Sequence, residues 1–185
     1  MALIRKRGRG CTVQYKGHSL LVVGSVNMDL VMQLDRAPQA GENLPGREYS
    51  YVPGGKGANQ AVAAARLGME VTFAGKVGAD AHGSVLRERL QGEGIDTRCL
   101  LGDAGEQTGF AAILVEADGQ NRIVVFVGAN RAIRESEVAE ALTGTYAAVM
   151  INLEIPQEIV LEVCRLAREK DLPVILPADV ELTGE

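Results

Sequence analysis

Pro53-Gly54-Gly55-Lys56-Gly57-Ala58-Asn59-Gln60 runs directly into the small-residue segment Ala61–Leu67. Without side chains at Gly54, Gly55 and Gly57, the main chain can adopt unusual dihedrals and let a ligand approach it closely. The unpaired N–H groups at the start of the helix predicted to follow favour oxygen-rich or anionic partners. Two phosphate-loop templates can be tested here. The nucleotide loop needs a glycine five residues before Gly-Lys and a hydroxyl after it, but this chain has Ser50 and Gly57 there. The dinucleotide fingerprint needs a third glycine where Gln60 stands. Both templates fail, and a plain helix-capping turn stays open.

Working outward, Leu20–Val26 is a continuous apolar run that reads as a buried strand, with Asn27-Met28-Asp29 at its carboxyl end. Leu30–Leu34 and Arg47–Val52 are predicted short strands around the Pro38–Pro45 turn region. Ala58, Ala61, Val62 and Ala65 recur at helical spacing, and Gly68 is a natural stop. Val71–Val77 reads as a strand, followed by a helix over His82–Gly92 with Val85, Leu86 and Leu90 on one face. Phe110–Val115 and Ile123–Val127 form a predicted hairpin around Asp118-Gly119-Gln120-Asn121. Then come a helix over Glu135–Leu142, a strand over Ala147–Leu153, and a helix over Glu158–Lys170 burying Ile159, Val160, Val163 and Ala167. Pro173–Leu176 begins another strand. The alternation implies an α/β fold: a mostly parallel sheet covered on both faces, with hairpins added at an edge.

Composition is consistent with this class. Alanine, valine, leucine and glycine dominate, and no apolar run approaches the roughly 20 residues that span a bilayer. The net charge is −5, yet residues 1–19 carry +5 with no acid, which leaves −10 on the rest. An acidic body argues against nucleic acid as a partner. The basic start lacks the apolar segment of a secretory signal. It reads as a disordered extension or a misplaced start, with a loose likeness to an organelle transit peptide. Cys11, Cys99 and Cys164 show no metal spacing and suit reduced thiols in a cytoplasmic protein. With only His18 and His82, a histidine-based metal site or a serine–histidine triad is not expected.

Ligands of such sheets sit beyond the carboxyl ends of strands. Asn27 and Asp29 mark one such end and Glu154 another, with Lys56 and Asn59 in the glycine loop between them. Carboxylates that accept from hydroxyls and amides that both donate and accept suit a polyhydroxylated ligand. Taken singly, Asn27 and Asp29 could equally be turn residues, and Glu154 could cap the helix after Pro156.

Together these residues resemble the ribokinase branch of the PfkB sugar-kinase family. The resemblance rests on Val23-Gly24-Ser25-Val26-Asn27-Met28-Asp29, Gly41-Glu42, Gly54–Ala61, Ala65-Arg66-Leu67-Gly68 and Val77-Gly78-Ala79-Asp80. Further matches are Thr108-Gly109, Gly119-Gln120-Asn121, Gly128-Ala129-Asn130 and Leu153-Glu154-Ile155-Pro156. It implies a three-layer αβα ribokinase-like fold over residues 20–185 with a small β-lid built from strands near 30–34, 47–52 and 110–127. It further implies that Asn27, Asp29, Gly54, Gly55, Lys56, Asn59 and Glu154 bind sugar, with Ala111 and Val125 laying apolar side chains against it. The implied activity is phosphoryl transfer from ATP, with Mg2+ and a monovalent cation, to ribose or to the fructose, deoxysugar acid or nucleoside of sister kinases. A homodimer through the lid is implied as well.

The family's catalytic Gly-Ala-Gly-Asp loop has no match here, because Gly78-Ala79-Asp80 belongs to an earlier family element. The expected consequence is a truncated fold with no catalytic residue of its own, inactive alone, or a non-catalytic sugar-binding fragment. Leu176-Pro177-Ala178-Asp179 departs from the family's Asn-Pro-Ala-Pro, and Val180–Glu185 resembles a later Glu-Leu-Leu-Thr-Gly segment brought close. An internal deletion, a frameshift or a truncated gene model would account for that ending, and the coding DNA is the check.

Overall fold

The computed structural model describes residues 17–177. Cys11, most of the basic extension and the 178–185 ending lie outside the described residues.

The first strand, β1 (Ser19–Val23), leads into β2 (Asn27–Gln33), β3 (Glu48–Gly54), α1 (Lys56–Arg66), β4 (Glu70–Gly78) and α2 (Ala81–Gly92). After them come β5 (Leu100–Asp103), β6 (Gly109–Val115), β7 (Asn121–Phe126) and a 3-10 turn over Gly128–Ala132. The chain closes with α3 (Glu135–Ala141), β8 (Ala148–Ile151), α4 (Gln157–Glu169) and β9 (Val174–Ile175). Five strands form a parallel sheet in the order β5-β4-β1-β8-β9.

Side chains of a strand point alternately to opposite faces, and β1 shows how this builds three layers. Leu20 and Val22 pack with Ala58, Ala61, Leu86 and Leu90 of α1 and α2. Leu21 and Val23 pack with Val138, Ile159, Val160 and Val163 of α3 and α4. Both faces are covered, so the central strands need apolar residues at every position. The inward face of α4 is Ile159, Val160, Val163 and Ala167.

Two helix faces differ from the sequence expectation. α1 buries Ala58, Ala61 and Ala64, while Val62 and Ala65 are only partly buried at its flank. α2 buries Gly83, Leu86 and Leu90 and leaves Val85 exposed. The reason lies at the start of α2, where a Cβ on Gly83 would come within 2.4 Å of the Gly78 carbonyl. That contact aims the Gly83-Leu86-Leu90 stripe inward and turns Val85 about 100° away from Leu86.

A larger correction concerns the hairpins. They do not extend an edge of the parallel sheet, as the alternation alone suggested, but form a sheet of their own in the order β3-β2-β6-β7, as the family resemblance implied. β2 pairs antiparallel with β3 and parallel with β6, and β6 pairs antiparallel with β7. Its first strand starts at Asn27, three residues earlier than expected, and β3 runs on to Gly54. Asn27 and Asp29 are therefore strand residues rather than turn residues. Neither β5 nor the 3-10 turn was legible in the letters, since both are short and contain a glycine.

Candidate functional site

The glycine loop is the hinge on which both sheets meet. Gly55 has a φ of +92°, and a Cβ there would lie 2.7 Å from the Val26 Cα. A side chain at Gly57 would meet Gly24 at 2.8 Å. Gly55, at the N-cap of α1, has no side chain with which to cap the helix. Instead the link between β1 and β2 takes up its free donors: Ala58 N donates to Ser25 O at 3.0 Å and Gly57 N to Ser25 Oγ at 3.4 Å. Only glycine lets the loop come this close to that link.

Glu154, just beyond β8, is held by the same link. Ser25 Oγ donates to Glu154 Oε2 at 2.7 Å and accepts from Asn152 Nδ2 at 2.7 Å. Asn152 Oδ1 accepts from Ser25 N at 3.1 Å, which fixes its own orientation. The other Glu154 oxygen lies 3.4 Å from Lys56 Nζ, and Lys56 N donates to Oε2 at 3.4 Å. The ion pair is exposed enough to contribute little to stability, so its interest is its position.

Asn27 and Asp29 sit two residues apart on β2 and so share a face. Asn27 is in register with Gly54 and Gly109, and Asp29 with Val52 and Ala111. Ala111 is in turn in register with Val125. Asp29, Ala111 and Val125 therefore form one row across the lid sheet, facing the same way. A Cβ on Gly54 would lie 2.1 Å from Asp29 Oδ2, so the Asp29 carboxyl occupies the space that glycine leaves. Burial first, and the Glu154 charge second, raise the Asp29 pKa above the ordinary carboxylate value.

Two cavities flank Glu154. One, of about 370 Å³, is lined by Lys56, Asn59, Gln60, Asn152 and Glu154 among others. The other, of about 410 Å³, is lined by Ser25, Asn27, Val125, Asn130, Glu154 and Pro156 among others. Neither cavity's lining includes Asp29, Gly54 or Gly55; Lys56, Asn59 and Glu154 line the first, and Asn27 and Glu154 line the second. Val125 reaches the second, while Ala111 is buried in the row between Asp29 and Val125. Among the described residues, no group of three or more His, Cys, Asp or Glu side chains is placed to hold a metal ion.

Sequence reading assigned no role to Ser25, Asn130, Asn152 or Lys76. A signal existed for two of them. Asn152 and Lys76 fall inside strands expected to be buried, and a buried polar side chain must find partners. The Lys76 ammonium donates to Ala132 O at 2.7 Å and sits 2.8 Å from Glu137 and 3.5 Å from Asp103. It thereby anchors the 3-10 turn that carries Asn130.

The profile of the pfkB family carbohydrate kinases matches residues 18–182. The chain belongs to this family. It is 43% identical over 160 residues to the ribokinase of Bacillus subtilis strain 168, an alignment covering 85% of this chain and 54% of that protein. It is 36% identical over 170 residues to the ribokinase of Haemophilus influenzae, covering 90% of this chain and 56% of that one. Among solved structures, Arabidopsis thaliana ribokinase complexed with ribose and ATP superposes with a TM-score of 0.80 at 32% identity, over 89% of this chain and 55% of that one. Ribokinase from Giardia lamblia gives 0.79 at 28% identity, over 89% and 56%. This pfkB-family chain spans about half the length of the relatives it matches. No helix among its described residues is long and apolar enough to cross a membrane.

Proposed function

We propose that the chain forms the sugar-binding part of an ATP-dependent carbohydrate kinase, with D-ribose as the sugar and ribose 5-phosphate as the product. One observation carries this reading: Glu154 is shared by two cavities, one lined also by Lys56 and Asn59 and the other by Asn27 and Val125, and its charge also acts on Asp29 of the lid. Asp29 and Glu154 are answered by Lys56 and, at the second cavity, by Arg131, so the site holds no cationic excess for a phosphate and its hydrogen-bonding groups suit neutral hydroxyls. The carboxylates of Asp29 and Glu154 accept from sugar hydroxyls, and Asn27, Lys56 and Asn59 supply further polar groups. Gly54 and Gly55 bring backbone close, and Val125 with Ala111 forms the apolar side. The choice of ribose is supported by the ribokinases among the relatives, one of which is in complex with ribose and ATP.

In this reading the lid and glycine loop orient the sugar, which matters because phosphoryl transfer depends on alignment and on neutralising charge. ATP is the second substrate, and magnesium with a monovalent cation would supply charge neutralisation. The work proposed for the described residues is to bind and orient the sugar. The purified chain is expected to bind sugar without transferring phosphate. The exposed lid strand β7 supports a homodimer through the lid.

Calorimetry with ribose, fructose, a deoxysugar acid and a nucleoside, each with and without ATP and magnesium, tests the proposal. Ribose binding without nucleotide, and no ribose 5-phosphate formed, is the expected result. A preference for another of these sugars, or binding of none, overturns the choice of ribose. ATP-dependent phosphorylation by this chain overturns the assignment of catalysis elsewhere.

A further inference from the structure

We infer that Asn130 is a positioning residue that fixes the direction of the Asn27 amide, so that Asn27 offers the ligand an N–H donor while Asp29 beside it offers an acceptor. Orientation of an asparagine is decided by its partners, and here the partners are unambiguous. Val26 N can only donate, and it donates to Asn130 Oδ1 at 3.0 Å. The carbonyls of Val26 and Val127 can only accept, and they lie 3.2 and 3.0 Å from Asn130 Nδ2. Reversing the amide would set oxygen against two carbonyls and NH2 against an N–H. Asn130 is also 2% exposed, so water cannot compensate a reversal.

With Asn130 locked, its Nδ2 donates to Asn27 at 2.8 Å, and the atom it meets must be Oδ1. Asn27 Nδ2 is thereby turned away from Asn130. It has no protein partner among the described residues, where the sole fully buried side-chain polar atom without one is Gln60 Oε1. It therefore stays accessible, on a residue lining the 410 Å³ cavity with Val125 and Glu154. Gly109 protects the arrangement: a Cβ there would lie 2.3 Å from both Asn130 Nδ2 and Asn27 Oδ1.

The consequence is a polarity code along β2. The ligand atom at Asn27 must accept a hydrogen bond, and the group at ionised Asp29 must donate one. A hydroxyl can do either, but a carbon-bound fluorine can only accept. The ligand class rests on the sugar reading above; the orientation of Asn27 does not.

Two measurements on the full 185-residue chain separate these claims. In the free protein, side-chain amide exchange by NMR is expected to be fast for the Asn27 NH2 and strongly protected for the Asn130 NH2. Equal protection of the two overturns the orientation. For binding, ribose is compared with its monodeoxy and monofluoro analogues. One ring position should tolerate fluorine within about threefold of ribose while losing about tenfold or more affinity as the deoxy sugar. Asn27→Asp, which keeps an acceptor for Asn130 but replaces the donor, should abolish that tolerance and weaken ribose about tenfold. Asn130→Asp, whose carboxylate cannot donate to Asn27, should do the same. Unchanged fluorine tolerance in both folded variants overturns the positioning role. If no sugar binds while Asn27 exchanges fast and Asn130 stays protected, the sugar reading fails and the positioning claim stands.

Discussion

The parallel sheet and the lid sheet are built from similar letters and held by different forces. In β1 the four residues Leu20–Val23 are buried between two helical layers, whereas every residue of β7, Asn121–Phe126, is exposed. Ile123, Val124, Val125 and Phe126 are as apolar as the core of β1, yet each is more than half exposed. Burial decides where a residue of the body sits. In the lid, backbone pairing and register decide it, because Asp29, Ala111 and Val125 align through ladders rather than through a core. A sheet held this way can present polar and apolar groups to a ligand without having to bury them.

The sharpest way to break this contrast is Phe73→Ala. Phe73 is fully buried in β4 and its truncation should cost about 3–5 kcal/mol in urea denaturation. A loss below about 1 kcal/mol would mean that the body is not the stabilising half. Gly55→Ala, at the junction of the sheets, comes next. The left-handed φ alone should cost about 1–2 kcal/mol, and the 2.7 Å approach to Val26 adds to it. Thermal unfolding and ribose calorimetry together should report lower stability and no binding.

Asp80 joins the two regions more gently. It caps α2 through Gly83 N at 2.8 Å and holds the start of β6 through Thr108 N at 2.8 Å and Thr108 Oγ1 at 2.6 Å. Burial pushes its pKa up, but the Thr108 and Gly83 hydrogen bonds outweigh that and leave it lowered. A lowered folded value contributes stability above the unfolded pKa, and that stability is lost as pH falls through the folded one. Asp80→Ala should cost about 1 kcal/mol at neutral pH, with the gap to wild type narrowing in acid.

Asp29 has the opposite sign. Its folded pKa is raised, so its contribution is fully present below the unfolded value and lost as pH rises through the folded one. Asp29→Asn should therefore leave the chain at least as stable as wild type at neutral pH while removing sugar binding. A destabilised Asp29→Asn, in a pH-dependent melting series, would show the carboxylate to be structural. The smallest effect is expected on the lid's exposed strand, where Val124→Thr should change stability by less than about 0.5 kcal/mol. A larger, concentration-dependent loss would mean that a second copy covers β7 in solution.

Apolar periodicity and glycine placement made most of the body legible. The runs at Leu20, Val71 and Ala147 could be nothing but buried strands, and the inward face of α4 followed from spacing alone. The lid was harder, because its strands lack a core-facing pattern and their partners lie far along the chain. The alternative that Asn27 and Asp29 are turn residues fell for this reason. Local propensity cannot reveal that Asn27 pairs with Gly54 and Gly109. The candidate side chains were named from their chemistry and the family resemblance, but the groups that hold them were not, since Ser25, Asn130 and Asn152 act across more than 100 residues of chain.

By itself the sequence determined the alternation of strands and helices, the close approach of the glycine loop, and the mismatch of that loop with either nucleotide template. These follow from side-chain volume and backbone freedom, which are local properties. Only the tertiary structure decided which strands pair within the lid sheet, that Asp29 fills the space left by Gly54, and that Asn130 turns the Asn27 amide. Those depend on which groups meet in space, and hydrogen-bond direction is settled by partners rather than by neighbours in the chain.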